Sequence, residues 1–401
     1  IVIYKSDATV FETIASTDGK VTGSGTSTIT INPAGTLDSS TDYYVQIDSG
    51  AFKDTAGNEY AGILDATTWN FKIRDYIAPT IESVETIDSN SDGFIDAVKI
   101  IFSEKVKDST ITVSNFDIEN VDGESFVSTT FGDVADDGII YITFTDGVLH
   151  TGEVPKLNYA KGALSDFSNN LMETANDIAT IDRAAPVIWG AETADGDSDG
   201  YIDAVKLIFS ENLNDASIDV VDFSINMGAG LGFNPTTNGD MANDNTIYLS
   251  INDGDLSGDK TPTLSYTKGK LCDLNDNIME NRPAIVSIDK VIPRIISTSP
   301  QDDSINNLIG TDLTIIFSEN VNIVSGKNIS IYKADGSLFD TIPADDARVT
   351  GGGSTEIEID IIKNFDYDSA YYVLIDDGAL SDATGNDFTG ISDTKTWSFS
   401  V

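Results

Sequence analysis

The sequence predicts an all-β chain of tandem sandwich domains, and three observations carry that prediction. First, apolar residues recur with a period of two. Val98, Ile100 and Phe102 alternate with Ala97, Lys99 and Ile101, and Ile29 and Ile31, then Ile357, Ile359 and Ile361, alternate with polar neighbours. A period of two places one set of side chains on one face of a strand. Second, Gly, Asn and Asp interrupt these runs at short intervals, as turns require, and no segment of a dozen residues carries a helical stripe. Third, the chain repeats itself.

Three junctions share one pattern: Asp75-Tyr76-Ile77-Ala78-Pro79, Asp182-Arg183-Ala184-Ala185-Pro186 and Asp289-Lys290-Val291-Ile292-Pro293. Their prolines lie 107 residues apart, and the chain ends 108 residues after the third. Four units follow: 1–75, 76–182, 183–289 and 290–401. Such a period marks a stacked array in which each unit contacts its neighbours. Roughly seven strands per unit of this length predict an immunoglobulin-like β-sandwich, and a series of them predicts an elongated rod. The first unit aligns with the end of the last: Ile1-Val2-Ile3-Tyr4-Lys5 with Ile329-Ser330-Ile331-Tyr332-Lys333, and Thr68-Trp69-Asn70-Phe71 with Thr396-Trp397-Ser398-Phe399. It therefore lacks about the first thirty residues of a repeat. The expectation is that the missing strands belong to a longer protein, or else to a neighbouring chain, since half a sandwich exposes strand edges.

Two further landmarks recur. Phe-Ser-Glu stands at Phe102-Ser103-Glu104, Phe209-Ser210-Glu211 and Phe317-Ser318-Glu319, where Phe completes an inward strand face and Glu leaves it near one end of the domain. Asp54 to Asn58, Asp166 to Asn170, Asp273 to Asn277 and Asp382 to Asn386 form a second series. An Asp followed by Gly or Asn suits a turn closed by the Asp side chain.

Composition narrows the function. The chain carries 66 acidic and 23 basic residues, a formal charge of -43, so the Lys and Arg clusters that hold nucleic acid are missing. A charge of that size repels itself, and bound divalent cations or a salty medium relieve it. The lone Cys272 allows no internal disulfide and reads as a small buried hydrophobe. No apolar run reaches the roughly 20 residues of a membrane-spanning helix. The lone His150 has no second His or Cys near it for a zinc site or a triad, so no catalysis is expected.

The sharpest chemical signal is a pair of acidic loops. Asp88-Ser89-Asn90-Ser91-Asp92-Gly93-Phe94-Ile95-Asp96 and Asp195-Gly196-Asp197-Ser198-Asp199-Gly200-Tyr201-Ile202-Asp203 share D-x-[DN]-x-D-G-x-I-D in identical register. Oxygen side chains at positions 1, 3, 5 and 9, with Gly at 6, have the spacing of a calcium loop. Position 12 is Lys99 or Lys206 where an EF-hand has Glu, and a strand follows, so the loops resemble those that bind calcium between β-strands. Expected Ca2+ ligands are Asp88, Asn90, Asp92, Asp96 and the Phe94 carbonyl in one, and Asp195, Asp197, Asp199, Asp203 and the Tyr201 carbonyl in the other. The last unit has Ser299-Pro300-Gln301-Asp302-Asp303-Ser304 at that place and is expected to hold no equivalent. The junction residues Asp75, Asp182 and Asp289 admit two readings, a linker turn or an interdomain calcium site.

Together, Asp-x-x-x-Pro, Phe-Ser-Glu and Asp-x-x-Gly-Asn before a final Trp-x-Phe strand resemble the tandem bacterial immunoglobulin-like domains of S-layer proteins and large cell-surface adhesins. The resemblance implies an extracellular structural role, often calcium-dependent, with partners that are further copies of the chain or other surface components. Two alternatives stand beside it. An adhesin for a glycan or surface protein would need an exposed aromatic patch, for which Trp189, Tyr201 and the loop Met227 to Gly232 are the candidates. An accessory region of a secreted enzyme would need a catalytic domain elsewhere.

Overall fold

The computed structural model describes residues 1–235 and 240–401. The chain forms two compact units: Ile1–Glu85 with Ala97–Thr145 and Val154–Ile181, and Thr86–Asp96 with Asp146–Glu153 and Asp182–Val401.

The first of these begins with an antiparallel sheet in the order Val10–Thr13, Val2–Lys5, Asp42–Gln46, Asn70–Lys72. Its inner face buries Ile1, Ile3, Tyr43 and Val45 against Phe11, Val21, Ile31 and Phe52. A seven-stranded sheet follows in the order Ser125–Phe126, Ile139–Thr143, Ala97–Phe102, Ile81–Ile87, Ala175–Ile181, Lys156–Tyr159, Phe116–Ile118. The expected alternation holds from Val98 to Phe102, where Val98, Ile100 and Phe102 are buried while Lys99 and Ile101 are partly exposed; Ala97, expected on the other face, is buried as well. Lys99 reaches Glu85 on the neighbouring strand at 3.0 Å, so it serves the sheet and not the acidic loop.

The second compact unit contains two sandwiches' worth of sheet. Ile188–Ala194, Ala204–Phe209, Thr246–Ser250 and Gly232–Phe233 form one layer, and Phe223–Ile225, Thr263–Tyr266 and Arg282–Val286 another. Between them lie Ile188, Val205, Leu207, Phe209, Ile247, Leu249, Leu264 and Tyr266. Farther on, Ile295–Ser299, Leu313–Ile323, Ser354–Ile359 and Val349–Thr350 oppose Leu338–Pro343, Asn328–Lys333, Ala370–Ile375 and Ser398–Ser400 around Trp397, Phe317, Ile357 and Tyr371. Layers of strands, antiparallel except where Ala175–Ile181 runs parallel to Ile81–Ile87, enclose alternate apolar residues and make this a tandem immunoglobulin-like β-sandwich protein.

The matched segments of the first and last repeats fold alike in detail. Tyr43 and Tyr371 are buried, and each hydroxyl accepts a backbone N–H at 2.8 Å, from Asp38 and Asp366. On the opposite face Tyr44 stacks on Tyr4 at 5.0 Å and Tyr372 on Tyr332 at 5.4 Å. Among the aligned residues the two tryptophans diverge. Trp397 is fully buried and its indole N–H donates to the Pro300 carbonyl at 2.8 Å, whereas Trp69 is 40% exposed. The strands Ile295–Ser299 and Leu313–Ile323, which supply that cover, have no counterpart within residues 1–75. Trp69 instead borders an open apolar groove with Ile29, Ile31, Phe52, Tyr60 and Ile63. Trp397→Ala should therefore destabilise its domain by about 3–5 kcal/mol, the range for emptying a buried aromatic site. Trp69→Ala should remove less than half as much, with chemical denaturation of the single variants as the measurement.

Candidate metal centres

The two acidic loops form the same turn from the same bonds. Asp88 accepts N–H bonds from Ser91 and Gly93 at 2.7 and 3.0 Å, and Asp195 accepts those of Ser198 and Gly200 at 2.6 and 2.9 Å. Asp92 and Asp199 each accept the N–H two residues on, at 2.9 and 2.8 Å. Asp96 and Asp203 bind back to the loop entry, through the N–H groups of Ser89 and Gly196, both at 2.6 Å. Burial raises the Asp88 and Asp203 carboxyls above their ordinary range.

The turn forces Gly93 and Gly200 to φ +96 and +92, and each is also pressed against a neighbour. A Cβ at Gly93 would lie 2.2 Å from Trp189 Nε1 and 2.8 Å from Ser210 Cβ, and one at Gly200 would lie 2.4 Å from Ser318. Each loop thus seats on the serine of the Phe-Ser-Glu segment of the following repeat. The first is clasped further: the Trp189 indole donates to the Asp92 carbonyl at 2.8 Å and stacks on Phe94 at 5.3 Å, with His150 edge-on to both rings.

Oxygens of Asp195, Asp197 and Asp199 approach one another within 4.8 Å. In the first loop position 3 is Asn90, whose amide donates to Asp92 at 3.0 Å and accepts the Asp92 N–H at 2.9 Å. Residues Phe94 and Tyr201 pair with His150 and Ser257 in isolated antiparallel bridges.

A second kind of acidic site is assembled from landmarks that look unrelated in the sequence. Each junction Asp meets the Glu of a Phe-Ser-Glu segment and the Asp of a following turn: Asp75, Glu104 and Asp166; Asp182, Glu211 and Asp273; Asp289, Glu319 and Asp382. Within each set one oxygen per residue lies within 4.8 Å of the others. The sequence reading placed these glutamates at a strand exit and the later aspartates in turns. Both placements hold, yet neither separately signals the convergence. The turns are closed as expected: Asp273 accepts the N–H groups of Asn275 and Asn277 at 2.8 Å, and Asp382 those of Thr384 and Asn386 at 2.8 and 2.7 Å. The turn then ties itself to the junction. Asn170, Asn277 and Asn386 donate through Nδ2 to the carbonyls of Asp75, Asp182 and Asp289 at 3.2, 3.3 and 3.3 Å.

The second and third clusters are buried. Asp182, Glu211 and Asp273 are 4%, 8% and 1% exposed, and Asp289, Glu319 and Asp382 are 3%, 1% and 4% exposed. In the first cluster Asp166 is buried while Asp75 and Glu104 are only partly so. Loss of water drives the Glu211 carboxyl up to about 9 and Glu319 up to about 8, with nearby aspartates adding to both. Burial lifts Asp182 and Asp289 to about 6, and Glu104 to about 7.

Beside these features stand the relatives. Residues 3–73 and 289–401 match the model of the family described as the bacterial Ig-like domain. An outer cell wall protein of Brevibacillus brevis is 26% identical over 232 residues, 58% of this chain and 21% of that protein. The chain thus spans about a fifth of the length of that relative. Among solved structures, the S-layer protein rSbsC(31-844) aligns over 81% of this chain and 54% of its own, at 13% identity and a TM-score of 0.22. The BSP domain of a biofilm associated protein aligns over 88% and 75%, at 9% identity and a TM-score of 0.16.

Protonation of the buried glutamates gives a signed pH dependence when divalent cations are removed. Their carboxyls rise from 4.5 to about 9 and about 8 on folding, so the folded state holds the proton more tightly. The stability this contributes is complete below the unfolded value and is lost as pH climbs to the folded one. In chelator, the urea midpoint should fall steadily between pH 4.5 and about 9, and a midpoint that rises across this window contradicts the burial.

Proposed function

We propose that this chain is a structural component of a bacterial cell surface, built from the four repeat units 1–75, 76–182, 183–289 and 290–401 and stabilised by calcium in the two acidic loops. The observation that carries this reading is the repeated seating of Gly93 on Ser210 and Gly200 on Ser318. A loop that folds around an ion and at the same time rests on the next repeat converts ion binding into fixation of successive repeats. The all-oxygen donor series, a carboxylate at the first, fifth and ninth positions, suits a hard cation of flexible coordination. The family of the first and last segments and the likeness to an outer cell wall protein support an extracellular location and assembly with further copies or other surface components. The role is architectural and not catalytic.

The adhesin reading is less well supported. Trp189, its main aromatic candidate, is held by Asp92, Phe94 and His150. Tyr201 is partly buried in its bridge to Ser257.

A site filled at 100 times its dissociation constant adds about 2.7 kcal/mol to stability. Calcium at about millimolar concentration, where extracellular modules bind, should raise the melting temperature of the chain above its value in chelator. Asp92→Ala with Asp199→Ala should shrink that calcium-dependent increment. An increment unchanged by the double substitution overturns the loop assignment. Calcium-dependent ordered sheets or filaments in electron micrographs are the expected sign of assembly, and dispersed particles with and without calcium overturn that part.

A further inference from the structure

The junction clusters differ from the loops in the one respect that decides whether a carboxylate needs a cation. In the loops the side chains are satisfied by backbone N–H groups and stay partly in water. In the clusters the central glutamate is stranded. Glu211 Oε1 and both oxygens of Glu319 accept no hydrogen bond, although the residues are only 8% and 1% exposed. Both carboxylates point into a space bounded by two further buried aspartates, within 4.8 Å. A buried polar atom without a partner costs more than the bond it forgoes, and three like charges cannot share such a volume unaided.

Those aspartates are oriented by their surroundings. Asp182 is held by Thr86 Oγ1 at 3.3 Å, the Ala184 N–H at 3.1 Å and Asn275 Nδ2 at 2.9 Å. Asp289 has the same support from Thr193 Oγ1 at 3.3 Å and the Val291 N–H at 3.0 Å, with Thr384 Oγ1 at 3.4 Å. Asp273 and Asp382 are locked by their turns. Each glutamate keeps at least one oxygen without such a bond. Room above it is kept by glycine: a Cβ at Gly258 would lie 2.6 Å from Glu319 Oε1, and one at Gly152 would lie 3.2 Å from Glu211 Oε2. A cleft bordered by His150, Gly152, Asn212 and Asn275 reaches Glu211 and gives an ion and its waters a way in.

We propose that Asp182, Glu211 and Asp273, and likewise Asp289, Glu319 and Asp382, each bind one calcium ion, making a class of site distinct from the two loops. The ligand set is oxygen only, which selects a hard cation over zinc or copper. Three carboxylates from three separate segments, with water completing the shell, suit calcium better than magnesium, which keeps most of its own water. Each ion joins the end of one repeat to two elements of the next. The cluster of Asp75, Glu104 and Asp166 is excluded, because Asp75 and Glu104 are partly exposed and Glu104 is not among the stranded carboxylates.

The alternative occupant is a proton on each glutamate, and the test separates the two. The full chain is equilibrated against calcium chloride at neutral pH, and bound metal is counted by atomic absorption after equilibrium dialysis. Three proteins are compared: the parent, Glu211→Gln with Glu319→Gln, and the loop pair Asp92→Ala with Asp199→Ala. Glutamine keeps the shape of a protonated glutamate, so the first variant remains folded in chelator, as circular dichroism would verify. The expected result is two fewer calcium ions in the glutamine pair and a smaller calcium-induced rise in melting temperature, with both junction ions retained in the loop pair. A glutamine pair that binds as many ions as the parent overturns the proposal. So does a parent that binds only the ions lost in the loop pair, which would assign protons to the junctions. Failure of the loop assignment alone leaves the junction count intact, so the two outcomes are distinguishable.

Discussion

Like charge packed out of water is the constraint around which these repeats are arranged. At an effective dielectric of about 20, two unit charges about 4 Å apart repel by roughly 4 kcal/mol. Two of the junctions bring three carboxylates together in burial, within 4.8 Å of one another. Much of the surrounding structure answers that repulsion. The turn aspartates are wrapped by backbone N–H groups and the junction aspartates by a threonine hydroxyl and a following N–H, while Glu211 Oε1 and both oxygens of Glu319 accept no hydrogen bond. An arrangement that deliberately satisfies two of three carboxylates and strands the third holds a place for a positive charge or a proton.

The same residues hold neighbouring segments in place. Asn277 and Asn386 each bond to the turn aspartate and to the junction carbonyl, so the turn cannot shift without disturbing the junction. Thr86 and Thr193 link the junction aspartate to a strand nearly a hundred residues earlier, accepting the N–H of Arg183 and Lys290 at 2.9 Å as they donate. Ser210 adds a bond to Thr151 at 2.6 Å and accepts the Val187 N–H at 2.9 Å. The Phe-Ser-Glu segment is therefore a three-part device. Phe209 enters the core, Ser210 receives the preceding acidic loop, and Glu211 enters the carboxylate cluster.

What was legible in the sequence follows from the range of each interaction. Strands announce themselves because burial alternates residue by residue, and the repeat announces itself because each unit solves the same packing problem. The acidic loops were legible because their oxygen donors lie within nine consecutive residues, Asp88 to Asp96 and Asp195 to Asp203. The junction clusters were not, since Asp182, Glu211 and Asp273 are far apart in the chain and each has an adequate local explanation. Asp182 looks like a linker, Glu211 like a strand end, Asp273 like a turn. A signal did exist: three landmarks, each acidic, recurring once per period in fixed order. Recurrence of charge at three places that all lie near domain ends is hard to attribute to three separate turns. Trp69 was half legible, because its match to Trp397 was evident but the Pro300 carbonyl that takes the Trp397 indole lies outside the matched segment.

The two kinds of acidic site divide the work according to their solvent exposure. In the loops the bonds that shape the turn come from the same carboxylates that would hold the ion, so the turn persists without it and an ion would tighten an existing form. In the junction clusters the carboxylates that converge come from three separated segments; Asn275 and Thr384 tie the junction aspartate to its turn, and an ion at the centre would add the glutamate. A proton quenches the repulsion and links one carboxyl to one neighbour, since each neutral carboxyl offers a single donor. A divalent ion can bridge all three at once. Occupancy of a loop would stiffen a turn that already rests on the next repeat, while occupancy of a junction would draw together carboxylates from two repeats. Both kinds of site therefore lie where successive repeats meet, the loops against Ser210 and Ser318 and the clusters at Asp182 and Asp289.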